Sequence, residues 1–523
     1  MTKILLLALS VIPFCASFAT ITRNTWNCSV KSGEWTTLTN WSTKTFYPME
    51  ALTAADFNAV KGGETAVECI LPDAVGKMEH LHILHQAPSV FTFDGANRTF
   101  GMGALEEGVD TKRGLNQDGG SYYPFQVASV SSAGTQALMM GNINSADYEP
   151  VMTWENALFK THSESDRSVN IEFLRGTFDF DPDNLGAWDL RFSYTLNSYC
   201  GMLISNSTVK ASVFSAPGQA TNNAIAIAEG GVLRLSRTSY FFNGGDYSYV
   251  GTNTLSVCDG GRIVVDNGGE MLNNYYVYFG TEKNAASRRN EIEFSGSGTL
   301  LDMRQSSSSA IQGNTRFTIT DGASAVLPGR FFLGFTAPGQ INDYKTELHV
   351  SGDDTRIFLM TNTTVLTTQQ GNGQMYVGHV PYASNSVVMA GGKILPLYPV
   401  ASGTSGVSIF VGDGAAGNGI FEMRGGEIDL IVTNCVNLAS ACAIHLGPGN
   451  ALFDMSGGKV VCGDFFVGRS QNKDPEMTQN HTQRLRMTGG ELTCNRLYLG
   501  SSEGSAPVAS YQYQQAHVDL DGG

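Results

Sequence analysis

Charge is scarce in this chain. Asp, Glu, Lys and Arg together make up 15% of 523 residues, and nowhere do basic residues run together. The 33 Lys plus Arg face 48 Asp plus Glu, a formal charge of −15, so the electrostatic footing for a nucleic-acid partner is missing. Acidity of this kind keeps a β-rich protein soluble and its edges unpaired, and by itself implies no cation ligand. No apolar run reaches the roughly 20 residues of a membrane-spanning helix, so no membrane span is expected. Nine cysteines are too few for a disulfide scaffold, and no CxxC or Cys/His spacing suggests zinc.

What is plentiful is glycine, 60 residues, together with 28 Phe, 19 Tyr and an apolar class of 42%. That composition suits strands and tight turns over a long core rather than helices or disorder. The length exceeds a single compact domain of about 100 to 200 residues, which leaves several domains or one elongated array.

At the N-terminus, Lys3 precedes an apolar run from Ile4 to Phe14 and a small-residue exit at Ser17-Phe18-Ala19. Residues 1–19 therefore read as a signal peptide cleaved after Ala19, and the chain as exported: cell-surface, outer membrane-associated or extracellular. Pro13-Phe14 before Cys15 makes a poor lipidation signal. Cleavage leaves eight cysteines; Cys28 with Cys69 and Cys435 with Cys442 are conceivable disulfides, and buried thiols packed as small hydrophobes are the alternative. Sequons at Asn27, Asn40, Asn97, Asn206, Asn362 and Asn480 matter only where exported chains are glycosylated.

Residues 20–60 are rich in Trp, Thr and Ser, and Trp26, Trp35, Asn40 and Trp41 are expected to form an N-terminal cap. Ala51 to Val60 is compatible with a short helix, with Thr53 as its N-cap. Residues 61–221 read as irregular β or degenerate early coils, with strand-like runs at Ala66 to Leu71 and Val169 to Phe173 and a worn copy of the later motif at Arg175 to Phe180.

From 222 to 523 a repeat dominates. Marker glycines fall at Gly230, Gly260, Gly296, Gly322, Gly352, Gly391, Gly425, Gly457, Gly489 and Gly522. The best copies, Phe421 to Ile428, Phe453 to Val460 and Leu485 to Leu492, read apolar, polar, apolar, polar, Gly, Gly, charged, apolar. Alternation puts Phe and Met on a buried face, and the pairs Gly391-Gly392, Gly425-Gly426, Gly457-Gly458 and Gly489-Gly490 then turn a corner that residues with a Cβ resist. A second element lies between corners, an apolar or aromatic pair closed by glycine, as in Phe332-Leu333-Gly334, Tyr376-Val377-Gly378, Phe410-Val411-Gly412, His445-Leu446-Gly447, Phe466-Val467-Gly468 and Tyr498-Leu499-Gly500. One such unit cannot bury its apolar face alone, but a stack of them can. The expected fold is all-β: a right-handed parallel β-helix, or β-solenoid, behind an irregular β N-terminal region.

Two features carry a family resemblance. The W…GxW…NW…P spacing of Trp26, Gly33-Glu34-Trp35, Asn40-Trp41 and Pro48 resembles the opening of autotransporter-like passenger regions. The glycine-cornered repeat resembles the autotransporter-associated β-strand repeats of pectin-lyase-like β-helix surface proteins. The resemblance implies architecture more than activity, since such solenoids serve as adhesins, passengers, polysaccharide-degrading enzymes and inert stalks. No translocating barrel is visible, and the chain stops at Asp521-Gly522-Gly523, where a corner has only just been reached, so a truncated product is expected.

Chemistry is harder to find. His80, His82 and His85 form HxHxxH without an obvious acidic partner, and Asp179, Asp181 and Asp183 open like a calcium loop whose glycine and bidentate Glu are missing. Glu427, Asp429 and Glu491 follow corners, where a solvated charge is the default. No catalytic, cofactor-binding or metal-binding residue is assigned, and no cofactor is expected. The expected function is that of an exported repetitive structural or adhesin-like protein presenting a solenoid face to glycans, polysaccharide or other surfaces. A pectin-lyase-like polysaccharide lyase or glycosidase is one alternative, and a passive spacer for a further C-terminal domain is another.

Overall fold

The computed structural model describes residues 22–26 and 32–48, strands with a few flanking residues between 53 and 279, and then 289–304, 308–311, 313–334, 345–360, 373–379, 384–398, 400–403, 406–413, 417–435, 442–468, 481–500 and 514–521. The expected leader, 1–19, lies outside the described residues. So do the side chains of Cys28 and Cys435, one partner of each conceivable disulfide, and Asn27, Asn97, Asn206, Asn362 and Asn480.

The described residues are nearly all β, with one helical turn among them, Leu38–Asn40. Forty-one of the described strands share one parallel sheet. A two-stranded antiparallel ribbon joins Gly114–Leu115 to Ser121–Tyr122, and a parallel one joins Val400–Gly403 to Thr433–Cys435. Among the described residues no helix is long and apolar enough to cross a membrane.

Pairing follows the chain in rounds. In one column Arg262–Val265 pairs with Asn290–Ser295, then come Thr315–Thr320, Lys345–Val350, the first half of Ser384–Pro396, Asn418–Asp429, Asn450–Met455, His481–Met487 and Gln514–Leu520. A second column stacks Arg330–Leu333, Gly373–Val377, Val407–Val411, Ala443–Leu446 and the far ends of Lys459–Val467 and Glu491–Leu499. Such returning parallel ladders are compatible with a β-solenoid.

Register decides the core. Ile263, Ile292, Phe317, Leu348, Val387, Phe421, Phe453 and Leu485 stand one above another, each buried, on alternate positions of their strands. Burying each contributes roughly 1.5–3 kcal/mol. Their polar neighbours Glu291, Arg316, Glu422 and Asp454 face the other way, as period-two alternation requires.

The expected helix at Ala51 to Val60 is corrected: Thr53–Asn58 is a strand. It sits between Thr22–Thr25 and His80–His85, paired in parallel with both. Two ladders satisfy its backbone groups on both sides, which outweighs the weak local preference of one alanine-rich turn.

Corners come in two chemistries. In earlier rounds a threonine hooks one round to the last: Thr299 Oγ1 accepts the N–H of Gly268 at 3.1 Å and donates to Ser295 O at 2.8 Å, and Thr355 repeats this with Gly322 at 3.0 Å and Ser351 O at 2.6 Å. From residue 391 a Gly-Gly pair replaces the hook. At Gly458 φ is +84°, and a Cβ there would lie 2.7 Å from both the carbonyl oxygen of Gly426 and the methyl of Met423 in the preceding round. The Met of the apolar-x-Met-x-Gly-Gly pattern is thus a floor for the glycine of the next round. The same relation holds for Met389 with Gly426 and Met455 with Gly490.

Gly458→Ala is therefore expected to cost more than Gly268→Ala. Both positions have positive φ, worth about 1–2 kcal/mol against alanine, but nothing lies within 4 Å of a Cβ at Gly268. Thermal melts of the two variants read the packing cost as the difference in midpoint; equal shifts would show that the Met floor yields freely.

Candidate functional site

The second column of strands carries a ring ladder on its outer side. Phe332, Tyr376, Phe410, His445, Phe466 and Tyr498 stack with centroids 4.6–4.9 Å apart and planes within 5–12°. They are the first members of the triplets seen in the sequence, each one position from an inward residue such as Leu333 or Val467. His379 lies tilted against Phe332 and edge-on to Tyr376, its Nδ1 3.1 Å from Asp413 Oδ2. Phe332, Phe410, His445 and Phe466 are nonetheless at most 7% exposed, so most of this face is closed to a stacking sugar.

The outer side of the first column is charged. In register along it run Arg262, Glu291, Arg316 and Glu347, alternating in sign, with Arg262 Nε 3.0 Å from Glu291 and Arg316 Nε 3.5 Å from Glu347. Stacked strands bring equivalent side chains within contact, so alternation is the arrangement that avoids like-charge repulsion. Glu347 is 4% exposed, and Arg289 and Lys345 also ion-pair with it. Burial, then the neighbouring Arg316, lowers the Arg289 guanidinium from its ordinary value.

His349 lies beside this carboxylate, its Nε2 3.1 Å from Glu347 Oε2. Burial, followed by the positive charges of Arg316, Arg289, Lys345 and Arg424, lowers its pKa to about 4. At neutral pH the imidazole is uncharged, and its contact with Glu347 is a hydrogen bond rather than an ion pair.

In the next round the outward residues shrink to Ser384, Ser386, Val388 and Ala390. Beyond them side chains lengthen again at Ile420, Glu422 and Arg424, with Arg424 2.6 Å from Glu422. The result is an open notch of about 410 Å³ across three rounds, floored by small residues, with Lys345, Glu347 and His349 on one bank and Glu422 and Arg424 on the other. It offers hydroxyls, carboxylates, cations and a neutral imidazole at close quarters, a lining suited to a polyhydroxylated ligand.

The residues singled out from the sequence lie elsewhere. Trp26, Trp35 and Trp41 are buried, with edge-to-face ring contacts at 5.1 and 4.9 Å around Trp41. Trp35 Nε1 donates to Pro48 O at 3.0 Å, Trp41 Nε1 to Trp35 O at 2.6 Å, and Asn40 Nδ2 to Glu34 O at 2.9 Å. The Asn40 amide is thereby committed to the fold, not offered for glycosylation. Gly391-Gly392, Gly425-Gly426, Gly457-Gly458 and Gly489-Gly490 stand at stacked corners. The charges after them, Lys393, Glu427, Lys459 and Glu491, stand in register with alternating sign, Lys393 Nζ 2.7 Å from Glu427. Asp429 Oδ1 accepts the N–H of Ile431 at 3.0 Å. His80, His82 and His85 share one strand, but their side chains lie outside the described residues, as do the side chain of Asp179 and the whole of Asp181 and Asp183. Among the described residues no group of three or more His, Cys, Asp or Glu is arranged to hold a metal ion.

Glu347, His349 and Glu422 carry no signal of their own in the sequence, since each occupies an ordinary alternate position of a strand, away from the corners. The one local signal is the shortness of the outward residues Ser384, Ser386, Val388 and Ala390, which face Lys345, Glu347 and His349 in one neighbouring round and Ile420 and Glu422 in the other. No protein-family model, no curated protein and no solved structure matches the chain.

Two measurements check this geometry. Glu347→Gln leaves Arg289, Arg316 and Lys345 around an uncharged amide and is expected to destabilise the fold by about 3 kcal/mol, the scale of breaking one side of a buried pair; a loss under 1 kcal/mol in denaturant titration would contradict the burial. His349 takes up its proton near pH 6.5 when unfolded and near 4 when folded, so acid favours the unfolded chain through it. Its contribution is intact above pH about 6.5 and fades as pH falls toward 4. His349→Gln should flatten the stability profile in that window and leave it unchanged at pH 8.

Proposed function

We propose that this chain is a right-handed parallel β-helix of an exported, surface-associated protein with a structural and adhesive role, and that it meets glycans on its charged face at the Ser386 notch. Returning parallel ladders, the glycine-cornered repeat and the signal-like N-terminus support the architecture and the compartment. The notch carries the binding reading: it is an open cleft of mixed charged, hydroxyl and aliphatic lining where three successive rounds converge, while most rings of the aromatic face are covered. About 10 Å of axis spans three rounds, the length of a disaccharide laid along the rod.

A second reading, a carbohydrate-active enzyme of pectin-lyase-like type, draws on the two carboxylates, Glu347 and Glu422, that flank the same cleft. A glycosidase needs such a pair, one to donate a proton and one to act as base or nucleophile. Here each carboxylate is ion-paired to cations, an arrangement suited to holding charge rather than transferring a proton.

The test is to pass the chain over immobilised polysaccharides and follow both retention and release of product. Retention without cleavage, weakened at least tenfold by Ser386→Trp, which fills the notch, is the expected result. Product release abolished by Glu422→Gln would replace the adhesive reading with the enzymatic one. Retention that survives Ser386→Trp would place binding elsewhere.

A further inference from the structure

Three thiols gather near the end of the described array and take no part in the notch. Cys462 and Cys494 are in-register partners on the adjoining parallel strands Lys459–Val467 and Glu491–Leu499, and both are free. Cys442 belongs to the same neighbourhood, its carbonyl accepting the N–H of Gly463 at 2.7 Å.

The strand Lys459–Val467 changes partners here. Through Val461 it pairs with Asn418–Asp429, and from Asp464 onward with Ala443–Leu446. The bend between two columns therefore falls at Cys462-Gly463. Cys462 is 2% exposed, whereas Cys494 is only half-buried. One sulfur is reachable from solvent and its neighbour is not.

We propose that Cys462 and Cys494 form a disulfide between adjacent rounds when the protein is in an oxidising compartment. In-register positions on neighbouring parallel strands lie about 4.8 Å apart, inside the roughly 4.4–6.8 Å that a disulfide spans between Cα atoms. The Cβ atoms must close by a few tenths of an ångström to reach the roughly 4.5 Å upper limit. Gly463, with no side chain and at the bend, is where the backbone can yield.

The oxidant is another disulfide, either oxidised glutathione or an exported dithiol oxidase. The Cys494 thiolate attacks one sulfur of that disulfide, forming a mixed disulfide and expelling one thiolate. The Cys462 thiolate then attacks Cys494 Sγ and expels the second. Two protein thiols become one disulfide, one external disulfide becomes two thiols, and the protons leave with the expelled sulfurs. Burial, followed by the neighbouring Cys494 and Asp464, raises the pKa of Cys462; burial and then Asp464 raise that of Cys494. Exchange in the folded protein is accordingly slow at neutral pH and quickens as pH rises.

The full chain, purified with its thiols reduced, is incubated with oxidised glutathione at pH 7 and pH 9, alkylated and mapped by mass spectrometry. The expected product is a peptide pair joined at Cys462 and Cys494, formed faster at pH 9, with a rise in the thermal midpoint that Cys494→Ser abolishes. Because Cys494 is half-buried, that variant is expected to keep its circular dichroism, and Cys494→Val serves if it does not. Three results would overturn the proposal: a reaction that stops at a glutathione adduct on Cys494, a bond from Cys462 to Cys442 instead, or full alkylation of both thiols after oxidation.

Discussion

Everything in this structure answers to one constraint: parallel strands stacked in register place the same position of every round directly over its predecessor, about 4.8 Å away. A side chain's closest neighbours are therefore its own counterparts, not residues nearby in sequence. Apolar positions gain from this without adjustment, as in the column from Ile263 to Leu485. Flat rings gain too, since a spacing near 4.6 Å is that of offset stacking, and six of them fall into line from Phe332 to Tyr498. Like charges stacked directly repel, and over two stretches the signs alternate, Arg262, Glu291, Arg316 and Glu347 on one face and Lys393, Glu427, Lys459 and Glu491 beyond the corners, whereas Arg356 over Lys393 and Glu422 over Asp454 repeat their sign.

The notch follows from the same rule. A round that carries serine, valine and alanine where its neighbours carry longer side chains opens a cleft, because among the described residues none from elsewhere stands over that position to fill it. Crowding of cations about Glu347 is the companion effect. Arg316 and Glu347 meet by register, while Arg289 and Lys345 arrive from the strand ends, and burial, reinforced by the surplus positive charge, keeps His349 neutral. In an array of this kind, the site is made by departures from the repeat.

That explains which parts could be read in the sequence. The alternation around Met423, Met455 and Met487 and the glycine pairs that follow announce strands and corners directly, since both are local demands on the backbone. The Met floor beneath the next round's glycine was hidden, although its parts were in plain view, because it links residues more than thirty positions apart. The stretch Thr53–Asn58 misled for the opposite reason: locally compatible with a helix, it is a strand because Thr22–Thr25 and His80–His85 flank it. The notch was legible only as a lapse in pattern, and its chemistry depends on register that single-sequence reading does not supply.

The methionine beneath the glycine also bears on how such a protein changes length. Each Met serves the round after its own, so the fit is handed forward and never refers to an absolute position. Excising Gly426 through Gly457 would leave Met389 beneath Gly458, a seat identical in kind to the one it lost. Whole rounds are thus interchangeable units at the corner, and a round may differ in length by a residue or two, as the spacings of 34 from Gly391 to Gly425 and 32 from Gly425 to Gly457 do, without losing the fit. Unequal duplication and loss of complete repeats is the form of variation this corner tolerates best.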